Sequence, residues 1–239
     1  MKELSKSIVR RLHDSNFLNR YFAGNGVDIG GKPDPLSLYL EFFPKLKNVK
    51  IWDWEDGDAQ FMNSVQDEEF DFVHSSHCLE HLVDPTEGLR NWLRIIKPGG
   101  YLVVTVPDED LYEQGEFPST FNQDHKHTFT IFKRKSWCPK SINLLDILTQ
   151  LDSNSRIEKI QLLNSTYRTL PRYDQTLTPV AECGIEFIIH KGIKDNLVKK
   201  TEYVDKNTLS HLNQYKDDLK TLKKENNTHK PFNNFSNLS

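Results

Sequence analysis

Residues 121–130, FNQDHKHTFT, bring together an amide, a carboxylate and two histidines: Asn122, Asp124, His125 and His127. Histidine exchanges protons near neutral pH, so either histidine could take a proton from a reacting group or bind a polar substrate. Both could instead lie on one face of a strand and form structural hydrogen bonds. Asp124 and the histidines also have metal-ligand chemistry, but the sequence offers no clear further ligands, so we expect no metal.

A second set of residues surrounds a glycine cluster, Asp28-x-Gly30-Gly31, which follows a short apolar run. Glycines there let the backbone turn sharply and approach a ligand closely, although such clusters also occur in ordinary turns. Asp53 follows 25 residues after Asp28. Its carboxylate could accept hydrogen bonds from both hydroxyls of a ribose or simply face water. Together the two motifs predict a cofactor that contains a nucleoside, which NAD and S-adenosylmethionine both do.

The elements that would position these residues alternate between strands and helices. Apolar runs predict strands at residues 27–31, 48–52, 69–74, 101–106, 157–163 and 184–190. The spacing of apolar residues predicts helices at residues 1–22, 85–96 and 142–151, the second capped by Asp84 in a capping box with Glu87. This alternation is typical of an α/β protein with a mostly parallel sheet and helices on both faces.

Ligands bind such sheets outside the carboxyl ends of the strands. The polar residues expected to converge at that edge are Asp28, Asp53, Ser75, Ser76 and Asp108. The sequence therefore predicts one site there, covered by the long polar loop at residues 108–135.

Four segments occur in order along the chain: VDIGGKPDP, WDWEDGDAQ, FDFVHSSHCLEHLVDP and LRIIKPGGYLVVTVPDEDLYEQG. As an ordered set they resemble the class I S-adenosylmethionine-dependent methyltransferases, in the subgroup with an LEHL signature after the fourth strand. The resemblance covers about residues 23–135, and residues 183–191 match the last strand of the family more loosely. It implies a Rossmann-like sheet of seven strands with the last one antiparallel, and a long polar loop after the fifth strand.

The resemblance also assigns the residues that would contact S-adenosylmethionine. Asp28, Gly30 and Gly31 would line its methionine end, and Asp53 would hold the ribose hydroxyls. The remaining predicted cofactor residues are Trp54, the adenine-contacting Asp58, Ala59 and Gln60, and, at the fourth strand, Ser75 and Ser76.

Two features depart from the pattern of the family. Glycines usually alternate after the acidic residue, but here Lys32 and Asp34 replace two of them and leave a stiff loop. Such a loop holds a diphosphate poorly, which counts against NAD but not against S-adenosylmethionine, because the latter has no phosphate. Asp53 and Asp58 are only five residues apart, so the usual helix between these motifs cannot fit and this edge of the sheet should be thin.

Methyl transfer from a sulfonium to an oxygen is an in-line displacement, in which an enzyme aligns the acceptor and often removes its proton. We predict catalytic roles for His125, His127 and His77, with Tyr112, Asn122, His125 and His127 contacting the substrate. The resemblance places the LEHL turn beside the methyl group, where Glu80 and His77 would share a face and His81 would pack structurally. Tyr112 could equally serve as aromatic packing.

The composition excludes several classes of protein. The 31 basic and 34 acidic residues give a net charge of −3 and no basic stripe for nucleic acid. No apolar run approaches the roughly 20 residues that span a bilayer, and the N-terminus lacks the apolar core of a signal peptide. Three scattered cysteines form no disulfide framework. We therefore expect a cytoplasmic protein, monomeric or homodimeric, that inserts into no membrane.

The chain is expected to form a single domain over residues 1–206. Leucine spacing predicts an amphipathic helix at residues 207–226, and the Asn- and Ser-rich segment 227–239 is expected to be disordered.

The leading functional hypothesis is transfer of a methyl group from S-adenosylmethionine to an oxygen of a small polar acceptor. Similar sequences occur among bacterial capsule and surface-polysaccharide biosynthesis enzymes, which suggests a sugar precursor or a phosphate or phosphoramidate group on one. N-methylation of an amino sugar or small amine remains an alternative. A non-catalytic scaffold with this fold is another, permitted by the reduced glycine motif but disfavoured by Asp53 and the Gly57-Asp58-Ala59 triplet.

Overall fold

A computed structural model describes residues 2–169 and 172–193. All of these residues belong to one compact unit. The predicted domain boundary at residue 206, the helix at 207–226 and the tail at 227–239 lie outside the described residues.

A six-stranded sheet forms the centre of the described fold. Its strands, in spatial order, are β2 (Leu46–Trp52), β1 (Gly24–Ile29), β3 (Phe70–Ser76), β4 (Ile96–Pro107), β8 (Gly184–Lys191) and β7 (Ser155–Leu163). Strands β1 to β4 pair in parallel, whereas β8 runs antiparallel to both β4 and β7. The prediction of a mostly parallel sheet whose last strand is reversed is confirmed.

The main sheet has one strand fewer than the seven that were predicted. Between β2 and β3 the chain forms a single short 3₁₀ turn, Trp54–Asp56, and no strand. Strand β2 therefore stays at the edge of the sheet, as the short spacing from Asp53 to Asp58 leads one to expect. Two further strands, β5 (Thr128–Thr130) and β6 (Ser141–Asn143), pair with each other in a separate parallel ribbon.

The helices among the described residues are shorter than predicted. The first predicted helix is divided into α1 (Leu4–Leu12) and a π-helical turn at Phe17–Tyr21. The helix predicted at 142–151 shrinks to α3 (Leu144–Leu148), because the residues before it pair with β5. No helix in the described part of the chain is long and apolar enough to cross a membrane.

Helix α2 (Pro85–Arg94) begins where the capping pattern predicts. The Asp84 carboxylate accepts hydrogen bonds from the N–H groups of Thr86 and Glu87. The second half of the capping box is absent, because the N–H of Asp84 donates to the amide oxygen of Gln60 instead, at 2.9 Å. This bond ties the start of α2 to the segment that follows β2.

Helices cover both faces of the sheet, and the alternation of strand side chains builds a core on each face. Leu102 and Val104 of β4 join the cluster beneath α2, which includes Trp92. Tyr101 and Val103 of the same strand join the opposite cluster, which includes residues from α1 and the π-helical turn. The sheet is therefore a rigid platform, and its carboxyl edge is left to the loops.

Candidate active site

A cavity of about 1090 Å³ opens along the carboxyl ends of β1, β2 and β3. Its walls come from the residues after these strands, from the LEHL turn, from the start of α1 and from residues 122–126 of the loop after β4. Sites for a single small molecule have volumes of roughly 300–1,000 Å³. This cavity is therefore large enough to hold a donor and an acceptor together, at the edge of the sheet that the sequence predicts.

The glycines after β1 form a wall of the cavity and are packed too closely against neighbouring side chains to carry a Cβ. Gly30 has a φ of +71°, and a Cβ there would lie 2.7 Å from the Cβ of Cys78. A Cβ at Gly31 would lie 2.7 Å from the carboxylate of Asp28. Both glycines line the cavity, so the backbone itself is exposed to a ligand at this point.

Asp28 shapes the loop after β1 in addition to lining the cavity. Its Oδ2 accepts the N–H of Leu36 at 2.7 Å, and its Oδ1 lies 2.6 Å from Nδ1 of His74. Arginine has no acceptor, so Nε2 of His74, 3.2 Å from Arg11, must accept, and Nδ1 therefore donates to Asp28. Both oxygens of Asp28 are thus engaged by the protein.

Asp53 stands at the end of β2 and lines the cavity while capping the short turn that follows. Its carboxylate accepts the N–H groups of Trp54 at 2.9 Å and Lys32 at 3.3 Å. The N–H of Asp53 donates in turn to the carboxylate of Asp56 at 2.9 Å. The reciprocal bonds fix the orientation of the Asp53 carboxylate.

The residues predicted to contact the adenine, Asp58, Ala59 and Gln60, also line the cavity, as does the predicted cofactor residue Trp54. The indole of Trp54 is 92% exposed and therefore available to a ligand. The amide oxygen of Gln60 already accepts from Asp84, and the Ala59 carbonyl accepts from the indole of Trp92 at 2.8 Å. The backbone of this segment is therefore held firmly against α2.

The two serines at the end of β3 differ. Ser76 lines the cavity, as predicted. Ser75 does not, because successive strand residues face opposite sides of a sheet. It is fully buried, and its hydroxyl donates to the carbonyl of Ile29 at 3.0 Å. The prediction of a cofactor contact from the Ser75 side chain is therefore corrected.

On another side of the cavity, His125 stands between two buried glutamates. Its Nδ1 lies 2.8 Å from Oε1 of Glu113, and its Nε2 lies 3.7 Å from Oε1 of Glu80. The loop is held in this position because the N–H groups of Lys126 and His127 both donate to the carbonyl of Glu80, at 3.0 and 3.1 Å. Nε2 of His125 has no hydrogen-bond partner.

Glu80 and His81 of the LEHL turn complete this group. Glu80 is fully buried with neither carboxylate oxygen hydrogen-bonded, and burial raises the pKa of its carboxyl. The Nδ1 of His81 lies 3.1 Å from the carbonyl of Asp124, and its Nε2 lies 3.9 Å from Oε1 of Glu80. His81 also lines the cavity, so it does not lie packed behind the wall as predicted.

The other predicted acceptor-side residues divide between the cavity wall and its surroundings. His77 and Asn122 line the cavity. Burial lowers the pKa of His77 to about 3, so its ring is neutral at physiological pH. Tyr112 is buried behind the wall, with its ring centre 4.9 Å from that of His125 and 6.1 Å from that of His77. The packing alternative for Tyr112 fits this position, and direct substrate contact does not.

His127 does not line the cavity. Its Nε2 lies 3.3 Å from the carbonyl of Val83. The strand begins only at Thr128, so the chain through His125 is a turn and the two histidines do not share a face. The prediction that His127 acts beside His125 is corrected for this reason.

A family model described as a methyltransferase domain matches residues 6–147, more than half of the chain. The chain belongs to this methyltransferase family. The match spans the strands from β1 to β4 and every residue that lines the cavity except Glu3 and Leu4. The family, together with the fold, makes this chain a class I S-adenosylmethionine-dependent methyltransferase, with S-adenosylmethionine as the implied methyl donor.

Comparison with solved structures finds similar chains. A Bacillus halodurans protein assigned as a methyltransferase aligns over 78% of this chain and 99% of its own, with 15% identity and a TM-score of 0.52. A SAM-dependent methyltransferase from Archaeoglobus fulgidus aligns over 79% and 93%, with 19% identity and a TM-score of 0.47. At such identities the first likeness shows the fold alone. No curated protein sequence matches the methyltransferase.

The donor side of the methyltransferase cavity fits the cofactor that the family implies. Gly30 and Gly31 line this side with backbone and no side chain, and S-adenosylmethionine has no phosphate to be held there. Asp53 offers a fixed carboxylate and Trp54 an exposed ring.

On the acceptor side, Glu80 and His81 were not among the functional residues predicted from the sequence. Their signal was an acid next to a histidine in a turn at a strand end.

Proposed function

We propose that this methyltransferase transfers the methyl group of S-adenosylmethionine to an oxygen of a small polar acceptor. The donor would lie along Gly30 and Gly31, with Asp53 holding the ribose and residues 58–60 the adenine. When bound, S-adenosylmethionine supplies a methyl group activated by the positive sulfonium. The acceptor would then occupy the part of the cavity lined by His77, His125 and Asn122, all of which are polar.

One observation carries this proposal: His125 lines the cavity, and its buried Nε2 has a lone pair with no hydrogen-bond partner. Glu113 accepts only, so Nδ1 of His125 carries the proton and Nε2 is left to accept one. A histidine oriented in this way by a carboxylate is the usual arrangement of a general base. His125 can therefore draw a proton from an acceptor hydroxyl as its oxygen attacks the methyl carbon.

The charge around His125 favours some acceptors over others. Glu80 and Glu113 are buried beside it, so an anionic acceptor would be repelled wherever one of these carboxyl groups is ionised. A neutral hydroxyl, such as one on a sugar precursor of a surface polysaccharide, is therefore favoured over a phosphate or phosphoramidate oxygen. The same carboxylates would attract a protonated amine, which keeps N-methylation of an amino sugar or small amine as the second candidate.

The proposal is tested with purified chain and S-adenosylmethionine carrying a labelled methyl group. Sugars, sugar phosphates and small amines are offered in turn, and S-adenosylhomocysteine release is measured with transfer of the label. We expect turnover with a neutral hydroxyl acceptor. Because a positioned base contributes roughly 10²–10⁴-fold in rate, His125→Ala should lower kcat by that order. Turnover only with amines would establish the second candidate instead.

His127→Ala is the matched control, because this histidine lies two residues away and outside the cavity. It should retain kcat and KM near those of the unchanged chain. Equal losses in both variants would indicate that the loop, and not the base, was damaged. Binding of S-adenosylmethionine without turnover on any acceptor, in both proteins, would favour the scaffold alternative.

A further inference from the structure

Three potential metal ligands meet at one point beside the cavity. Glu80, His81 and His125 each offer one atom, and these atoms all lie within 4.8 Å of one another. Oε1 of Glu80 is 3.7 Å from Nε2 of His125 and 3.9 Å from Nε2 of His81. These distances are too long for hydrogen bonds. The three groups thus face a common centre without bonding to one another.

The spacing of these atoms suits an ion between them. Zinc lies about 2.0–2.2 Å from imidazole nitrogen and carboxylate oxygen, so neighbouring ligands in a tetrahedral site are roughly 3.4 Å apart. The observed separations of 3.7 and 3.9 Å are close to that value. Binding would require these two pairs to approach by about 0.3–0.5 Å and the two histidine nitrogens, which lie within 4.8 Å, to approach further.

The hydrogen bonds behind the two histidines prepare both rings to bind a metal. Nδ1 of His125 faces Glu113 at 2.8 Å, and Nδ1 of His81 faces the carbonyl of Asp124 at 3.1 Å. Both partners only accept, so each Nδ1 carries the proton and each Nε2 presents a lone pair. Metal-binding histidines almost always make such a bond to a carboxylate or a backbone carbonyl.

The buried polar atoms at this point lack partners within the described residues. Both oxygens of Glu80 and Nε2 of His125 are buried without a hydrogen bond. A buried carboxylate without a partner is costly, and a divalent cation would compensate it. Two of these unpartnered atoms, Oε1 of Glu80 and Nε2 of His125, face the common centre, which is a second and independent indication of a ligand.

We propose that Glu80, His81 and His125 bind a divalent transition-metal ion, of which zinc is the expected member. Two imidazoles and one carboxylate suit zinc and its transition-metal neighbours, whereas magnesium and calcium prefer oxygen ligands alone. Three protein ligands leave a coordination position open, as in catalytic zinc sites. His81 and His125 line the cavity, so that position is accessible from the acceptor side.

The role of the ion rests on the proposed function, although its binding does not. An acceptor hydroxyl in the open position would lose its proton to solvent more readily, because a bound cation stabilises the oxyanion. The oxygen would then form a bond to the methyl carbon as the carbon–sulfur bond breaks, leaving S-adenosylhomocysteine as a neutral thioether. His125 would in this case act as a ligand, and the ion would replace it in activating the acceptor.

Metal binding is tested on the full chain after treatment with a chelator. Zinc binding is measured by calorimetry, and cobalt binding by its visible absorption, without donor or acceptor. We expect one ion per chain and a higher Tm with zinc. Glu80→Gln, His81→Ala and His125→Ala should each weaken binding at least tenfold. Glu113→Gln, which perturbs only the bond behind His125, should weaken it about 10–100-fold.

His127→Ala is again the control and should bind zinc as the unchanged chain does. The inference is overturned if the folded chain binds no ion, or if the ligand variants bind it as tightly as the unchanged chain. Glu80→Gln keeps the shape of the side chain, and its fold is checked by circular dichroism and by retained binding of S-adenosylmethionine. Retained donor binding and turnover without any metal would overturn the role of the ion in activating the acceptor while leaving the proposed function intact.

Discussion

At the scale of single residues, the sequence is most informative where the local structure requires one particular residue type. Gly30 and Asp53 could be found because a sharp turn needs glycine and a strand end exposes its carboxylate. The side chains of Ser75, His127 and Tyr112 could not be placed relative to the cavity from the sequence. A shift of one residue along a strand, or a turn where a strand is expected, reverses the direction in which a side chain points. Glu80 and His125 are 45 residues apart in the chain, so no local sequence pattern predicts that their side chains meet.

Asp53 gives the first prediction at this scale. Asp53→Ala should weaken binding of S-adenosylmethionine by about 1–3 kcal/mol, the scale of hydrogen bonds to a charged group. Calorimetry measures the change. Asp56→Ala is the matched control, because it breaks the same turn without removing a residue from the cavity wall. If both variants lose affinity equally, the turn accounts for the effect and Asp53 makes no contact with the ribose.

At the scale of elements, strand positions were predicted well and helix lengths were not. Continuous apolar runs are typical of buried strands, and six of the predicted strands match strands in the sheet. Helix α1 was predicted too long because apolar spacing continues through residues 13–22. The chain instead turns at that point into the π-helical segment, whose Phe17 and Tyr21 pack in the core.

Helix α1 is joined to β8 by a buried ion cluster, which leads to a prediction on pH. Glu186 is fully buried and contacts Arg10 at 2.7 Å, Arg11 at 3.0 Å and Lys159 at 3.4 Å. Burial alone would raise the pKa of Glu186, but Arg11 and Arg10 outweigh it and lower the pKa from 4.5 to about 2. A carboxyl whose pKa is lower in the folded chain than in the unfolded chain stabilises the fold at pH values above the unfolded pKa. This contribution is lost as the pH falls from 4.5 towards 2.

Glu186→Gln isolates this contribution. The difference in unfolding free energy between the unchanged chain and the variant should shrink by about 3 kcal/mol between pH 6 and pH 2, because each pKa unit corresponds to about 1.4 kcal/mol. Urea unfolding at several pH values measures it. An exposed acid changed in the same way, Glu55→Gln, should show far less pH dependence. A difference that stays constant with pH would show that Glu186 does not titrate in this range.

At the scale of the whole molecule, the donor site and the stability of the fold are coupled. The cavity wall combines residues that follow β1, β2 and β3 with Glu3 and Leu4 at the start of α1. A ligand that contacts all of these elements binds only the folded chain. It must therefore raise the stability of the whole unit and not of one loop.

S-adenosylmethionine should accordingly raise the Tm of the chain as its concentration increases. At a hundred times its Kd a ligand adds about 2.7 kcal/mol, which corresponds to roughly 5–10 °C for a domain of this size. Differential scanning calorimetry measures the shift. S-adenosylhomocysteine should act similarly, because it retains the adenine, ribose and amino-acid groups, whereas NAD should not, because its diphosphate meets the stiff loop at Lys32 and Asp34. A larger rise in Tm with NAD than with S-adenosylmethionine would contradict the assignment of the donor side. The backbone at Gly30 and Gly31 would then bind a diphosphate.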